Sequence, residues 1–363
     1  MYKTKIGLKL MDHWGEKYRE QVKFLSLMGI GIGFIGMFTI FFMLLKNLFE
    51  LLTVPKAVSA VSLVIPGVKI PGSPIHIPLI TGWIALFLVI LVHEFSHGVV
   101  ARAHKIKVAS SGIFFLGPLM GAFVEPAEKN LRKSNDITQH SVYAAGPWSN
   151  IILALVCIFL LTYIFAPLNG AMVNEVGVEL AGVAEGLPAE AAGLGADMLI
   201  TQVNGVDTLN HDQFTIAIRH LRPNESVTML VDDKEVTFKA GAHPQDAQQG
   251  YLGVLVKTKP KVETKNPAMW YKVLYRIFLW IAELFSITGI LSFGIGLANL
   301  LPLGPVDGGR MVLTAISRIK GEKKGMAWWK KISLFTLLLL AINVFWPAIK
   351  WIGTLLMTLV ALI

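Results

Sequence analysis

The sequence predicts a polytopic α-helical membrane protein of five or six transmembrane helices with one inserted extracytoplasmic α/β domain. Three observations predict it. Of 363 residues, 54% are hydrophobic and only 16% charged, a balance too apolar for a soluble chain of this length. Those apolar residues fall in runs of the roughly 20 that a helix needs to cross a bilayer. One long stretch, 169–265, returns to the composition of a soluble domain. The formal charge of +9 comes from Lys and Arg flanking the apolar runs, as in cytoplasmic loops, and not from an aromatic-interleaved patch, so a nucleic-acid partner is excluded. The single cysteine, Cys157, allows no intramolecular disulfide and no cysteine-rich metal cluster.

The first apolar run, Phe24 to Leu45, is bounded by Lys23 and Lys46, is too long for a signal-peptide core and lacks a following cleavage pattern. The second, Pro78 to Val100, has no ionisable residue before His93. The third runs from Val142 to Pro167 and opens with Ala144-Ala145-Gly146-Pro147-Trp148-Ser149-Asn150. The fourth, Val273 to Leu301, is interrupted by Glu283 and followed by Pro302, Pro305 and Asp307-Gly308-Gly309-Arg310. The last, Ile332 to Ile363, is broken by Trp346-Pro347 and Lys350 and suits one kinked span or two short ones. Basic residues before the first span (Lys3, Lys5, Lys9, Lys17, Arg19, Lys23) place the N-terminus in the cytoplasm, and the basic segments 101–141 and 310–331 then fall on the same side. Between the first two spans, Val54 to Pro78 carries prolines at 55, 66, 71, 74 and 78 and is expected to be extended on the outer face. Ser110 to Pro126 reads as two short apolar strands around Leu116-Gly117-Pro118-Leu119-Met120. Inside a membrane such a hairpin must be shielded by protein or line a wet cavity, because unpaired edge groups find no partners in lipid.

The external segment alternates short runs, Val227 to Val231 and Glu235 to Lys239, with turn signals at Asn204-Gly205 and Pro223-Asn224. Its string Gly186-Leu187-Pro188-Ala189-Glu190-Ala191-Ala192-Gly193-Leu194-Gly195-Ala196-Asp197, followed by Ile200 to Gly205, resembles the carboxylate-binding-loop half of PDZ domains from bacterial-type proteases. Such domains bind extended peptide termini by strand addition. The chain then divides into 1–77 (cytoplasmic helix, first span, extended outer segment), 78–168 (first part of a membrane core), 169–265 (PDZ-like domain), 266–320 (second part of the core) and 321–363 (C-terminal span or spans).

His93-Glu94-Phe95-Ser96-His97 places two imidazoles four residues apart on one helix face, where both can reach one ion. Glu94 stands beside that ion without having to ligate it, as a general base does. A catalytic zinc site usually has three protein ligands. Ionisable groups within spans are costly and so are functional candidates by default. His104 lies too far round, Glu283 near the outer end of its span and Glu125 in the hairpin. Asp307 is the better third ligand: Pro302 and Pro305 break the helix before it, Gly308-Gly309 follow, and both groups fall at the same cytoplasmic-side depth. Buried asparagines such as Asn150 and Asn299 commonly hydrogen-bond neighbouring helices, and Gly146 suits close helix packing.

The set His93-Glu94-Phe95-Ser96-His97-Gly98 with Asn299-Leu300-Leu301-Pro302 through Asp307-Gly308-Gly309-Arg310 resembles the site-2 protease family of intramembrane zinc metalloproteases. Gly146-Pro147-Trp148-Ser149-Asn150, the hairpin and the insertion between third and fourth spans match as well, over roughly residues 78 to 320. Gly121-Ala122-Phe123-Val124-Glu125-Pro126 and the Pro-rich segment look most like archaeal members. The resemblance implies one Zn2+ per chain on His93, His97 and Asp307, and Glu94 as catalytic base and acid. It implies substrate contacts at Asn150 and Asn299, and at Gly121 and Phe123 of a hairpin that pairs with an unwound substrate strand. The substrates would be single-span membrane proteins, cut within the bilayer after an upstream site-1 type protease. The location would be the plasma membrane of a prokaryote, with the PDZ-like domain outside and the active site toward the cytoplasm. The rivals are a membrane metal-ion transporter, whose repeated halves are not found here, and a non-catalytic PDZ scaffold for membrane helices.

Overall fold

The computed structural model describes residues 2–54, 57–59, 61, 64–68, 77–116, 119–243 and 246–360. In chain order the elements are β1 (Tyr2–Thr4), α1 (Leu8–Lys17), α2 (Arg19–Thr53), α3 (Leu79–Ala103), β2 (Val108–Leu116), β3 (Leu119–Pro126), α4 (Glu128–Arg132) and α5 (Asp136–Leu160). A π-helical turn (Leu161–Phe165), α6 (Ala166–Met172), β4 (Val173–Val183), α7 (Pro188–Ala191), β5 (Leu199–Val203), β6 (Val206–Asp207), α8 (His211–Arg219), β7 (Ser226–Val231) and β8 (Lys234–Lys239) follow. The chain ends with β9 (Gly241–His243), β10 (Asp246–Tyr251), β11 (Val254–Val256), β12 (Lys261–Thr264), α9 (Met269–Asn299), α10 (Asp307–Lys320) and α11 (Glu322–Val360). Two compact units emerge, one of residues 1–163 and 280–363 and one of residues 164–279.

Five helices are long and apolar enough to cross a membrane: Arg19–Thr53, Leu79–Ala103, Asp136–Met172, Met269–Asn299 and Glu322–Ile352. Several overrun their apolar cores. The first begins at Arg19 and continues past Lys46, because main-chain helix bonds do not stop where the side chains turn polar. The third begins at Asp136, ahead of Val142, where Asn135 caps it by accepting the Thr138 N–H. The C-terminal apolar run is one helix through Pro347. Proline there removes the donor owed to the Asn343 carbonyl, which instead accepts from the Ser59 hydroxyl at 2.7 Å. Of the segment before α3, the described residues include no helix or strand, with Gly67 N–H donating to the Ile77 carbonyl. Pro55, Pro71 and Pro74 lie outside the described residues, as do Gly117 and Pro118 of the hairpin.

In the membrane unit, lipid offers no hydrophobic drive for helix association, so close approach through small residues matters most. Ala144 and Ala145 of α5 are buried, and Ser96 of α3 ties the two helices by donating to the Ala145 carbonyl at 3.0 Å and meeting the Ser149 hydroxyl at 2.9 Å. Behind them Met37, Val142, Leu300 and Met311 form one apolar cluster. The expected hairpin is present: β2 and β3 pair antiparallel, Ser111 opposite Val124 and Gly112 opposite Phe123. The N-terminal strand β1 adds to the outer edge of β2, Lys3 opposite Gly112, so the sheet has the order β1-β2-β3.

The second unit holds a seven-stranded antiparallel sheet in which β11, β4, β5, β7 and β8 run in that order, with β12 also on β4 and β6 on β5. Alternate residues Val227, Met229 and Val231 of β7 join Val178, Leu180, Ile200 and Val203 in its core, with Phe214 of α8. Asn204 and Gly205 take positive φ and make the two-residue turn between β5 and β6 that their sequence signals. Gly186 to Asp197 forms a loop leading into the short helix α7 and then a turn before β5.

Candidate metal centre

The His93 and His97 side chains leave α3 from successive turns, their ring centroids 4.9 Å apart. Each Nδ1 is turned into α5: His97 Nδ1 lies 2.7 Å from the Val142 carbonyl and His93 Nδ1 lies 3.1 Å from the Asn150 amide. Both Nε2 atoms therefore face the opposite way, toward Asp307. Asp307 Oδ2 stands 3.1 Å from His93 Nε2 and 3.4 Å from His97 Nε2. All three residues are buried, and their ligand atoms lie within 4.8 Å of one another.

The sequence brings Asp307 there by breaking α9. After Asn299 the chain turns through Leu300 to Val306 and restarts as α10 at Asp307. The restart packs on the turn itself: a Cβ at Gly308 would collide with the Leu300 carbonyl, and one at Gly309 with the Leu303 carbonyl. Helix α11 braces the same turn, Trp329 Nε1 donating to the Gly309 carbonyl at 2.8 Å and Ser333 Oγ accepting from Gly304 N–H at 3.0 Å. No pattern in the chain singles out Trp329 or Ser333.

A cavity of about 580 Å³ opens over the three ligand atoms, and Glu94 lines it. The Val124 N–H of β3 donates to Glu94 Oε2 at 3.0 Å. That N–H points away from β2, so by strand alternation the free edge of β3 carries the main-chain groups of Ala122 and Val124. Gly121 and Phe123 turn theirs toward β2, and the Phe123 ring lies over Gly112. Asn299 also lines the cavity, its amide donating to the Ile295 carbonyl at 3.0 Å. Glu125 lines the rim with its carboxylate held by Lys3 at 2.8 Å, while Glu283 lies outside that lining.

Residues 81–340 match the model of peptidase family M50, a span well over half of the chain. The chain belongs to peptidase family M50. As a site-2 type M50 peptidase it is an intramembrane zinc metalloprotease. It is similar to the uncharacterized protein MJ0971 of the archaeon Methanocaldococcus jannaschii, 29% identical over 311 residues that cover 84% of this chain and 74% of that one. It is also similar to the zinc metalloprotease RasP of Oceanobacillus iheyensis, 24% identical over 248 residues that cover 55% of this chain and 57% of RasP. Membership leaves no place for the transporter or the scaffold.

The residues of this M50 peptidase fit a zinc ion. Two imidazoles and a carboxylate are a donor set zinc accepts, and Nδ1 partners of the kind seen on both histidines hold Nε2 as the ligating atom. Gly146 supplies the space. A Cβ built there would stand 2.5 Å from His93 Nε2 and closer still to His97 Nε2, so only a glycine lets both rings sit this close to α5. Helix packing alone, the role its sequence suggests, understates Gly146. The Asn150 amide oxygen is buried without a hydrogen-bond partner. Exchanging the two amide atoms gives that oxygen the Nδ1–H of a zinc-ligating His93.

Proposed function

We propose that this M50 peptidase hydrolyses peptide bonds within or near the transmembrane segments of single-span membrane proteins, with His93, His97 and Asp307 as zinc ligands and Glu94 as general base. The observation that carries the reading is the convergence of both Nε2 atoms and Asp307 Oδ2 in one cavity, with Glu94 on its wall. Bound there, zinc supplies Lewis acidity that brings water toward neutral pKa and polarises a carbonyl. Glu94 takes the proton as water attacks the peptide carbon and returns it to the leaving amine.

A transmembrane helix hides its carbonyls in its own hydrogen bonds and must be opened first. Since β1 occupies the outer edge of β2, the substrate strand adds to the free edge of β3, where Ala122 and Val124 offer main-chain groups beside Glu94. A substrate carbonyl that takes the Val124 N–H frees Glu94 for proton transfer. Asn150 holds His93 and Asn299 lines the cavity beside the strand, while Gly121 and Phe123, whose main-chain groups turn to β2, act through the hairpin that presents Val124. Residues 169–265 are read as a PDZ-like domain for peptide termini. Their antiparallel sheet and the loop from Gly186 support that reading. The basic loops support a cytoplasmic N-terminus and an extracytoplasmic PDZ-like domain, in a prokaryotic plasma membrane. Prior trimming by a site-1 type protease would leave the single-span substrates that such a site accepts.

The test is bound zinc and cleavage of a panel of single-span fusion substrates by wild type and Glu94→Gln. Zinc at about one per chain in both, with cleavage only by wild type, supports the reading. Equal cleavage by the two would remove Glu94 from the chemistry.

A further inference from the structure

The metal cavity does not end at the metal. Glu128, Tyr143 and Arg310 also line a second cavity of about 460 Å³ between α4, α5, α10 and the start of α11. Along these walls most charges are matched. Glu94 accepts from Val124, Glu125 is paired with Lys3, Glu128 with Arg132, Asp136 with Arg318, and Asp307 faces the two histidines. Glu322 stands on the wall of the second cavity only. Arg310 is the exception among the cations. Among the described residues it is the one Lys or Arg lining the metal cavity, and no carboxylate lies within ion-pair distance of it. Its guanidinium sits 5.8 Å over the Tyr143 ring, a contact that orients the charge and leaves its N–H donors free. The side chain is exposed to the cavities.

We infer that Arg310 is a specificity residue that takes an aspartate or glutamate side chain of the substrate near the scissile bond; the inference rests on the peptidase reading of the same cavity. Arg310 follows Asp307 by three residues, about 4.5 Å along a helix axis. An extended substrate advances about 3.3 Å per residue, so the favoured carboxylate falls within a few positions of the cut. The planar guanidinium fork meets a carboxylate with two parallel hydrogen bonds, and among the described residues no other Lys or Arg lines the cavity to take that charge.

The experiment uses the full-length protein in detergent and a single-span fusion substrate whose cut site is mapped by mass spectrometry. Each of the three residues on either side of the cut is changed to Asp, Asn and Lys in turn. For wild type we expect kcat/KM at one position to be at least tenfold higher for Asp than for Lys, carried mainly by KM. Arg310→Glu reverses the order at that position and Arg310→Gln abolishes it, with zinc near one per chain in both. Equal rates for Asp and Lys at every position in wild type would overturn the inference while leaving the peptidase reading intact, as would an unchanged order in Arg310→Gln. Cleavage of no substrate by wild type would overturn the peptidase reading and the inference with it.

Discussion

Gly146→Ala tests the metal centre through a single methyl group. The added Cβ would stand 2.5 Å from His93 Nε2, and closer to His97 Nε2, whereas a carbon needs more than 3.0 Å from such an atom. A zinc–nitrogen bond is about 2.0–2.1 Å, so both rings must keep their places closely to share one ion with Asp307. Both rings would have to retreat by about half an ångström or more, off their partners on Val142 and Asn150. Loss of an outer partner alone lowers metal affinity about 10–100-fold, and displacing both rings exceeds that. The overpacking costs about 1–3 kcal/mol of stability, small beside the loss of metal. Zinc per chain, measured by elemental analysis after gel filtration, should drop from about one to near zero, and cleavage should fall at least a hundredfold. Gly294→Ala, where a Cβ meets open space, should leave both unchanged. A Gly146→Ala protein that keeps a full zinc complement and cleaves like wild type would refute the reasoning.

Other outcomes follow from the same geometry. Val124→Pro removes an N–H that points away from β2, so the sheet and zinc should survive. Cleavage should fall about two- to tenfold, the worth of one main-chain hydrogen bond, as read by kcat/KM. Asn150→Ala should weaken zinc about 10–100-fold in a competition with a chelator, while Asn299→Ala should leave zinc affinity near wild type. Trp329→Phe removes the donor to the Gly309 carbonyl and should cost about 1 kcal/mol of stability, with a matching loss of zinc retention on mild heating. Lys3 and the Ser110 hydroxyl hold the Glu125 carboxyl below its ordinary value of 4.5. The depressed folded value means this contribution is present above pH 4.5 and lost as pH falls through the folded value. Thermal melts of wild type and Lys3→Met should therefore differ at neutral pH and converge in acid.

The spans were legible because hydrophobic run length is a property of neighbouring residues, and so were His93, Glu94 and His97, which one helix turn brings together. Asp307 was legible by its unusual setting, a carboxylate among Pro and Gly at the end of an apolar run. What escaped were contacts between residues far apart in the chain with no local pattern. Three residues, Tyr2 to Thr4, carry no strand signature, yet they complete the sheet because β2 offers an unpaired edge. Helix ends escaped for a related reason: apolarity marks where lipid begins, whereas Asn135 marks where hydrogen bonding begins. Gly146 was visible as a small residue, but only the ring positions of His93 and His97 show what its smallness is for. Ser96 carries no local signal beyond its place in the motif, yet its two contacts with α5 hold the registry between the helices.

The two bonds from α11 to the Asp307 turn tie the metal centre to bilayer thickness. The apolar part of α11, Ile332 to Val360, is roughly 43 Å long, about half again the hydrocarbon depth of about 30 Å, so it tilts or slides as membranes thicken or thin. Trp329 and Ser333 ride on that helix, and the turn that presents Asp307 rides on them. Lipid chain length thereby becomes a variable of the ligand geometry, and turnover should peak in bilayers matched to this helix and decline on either side.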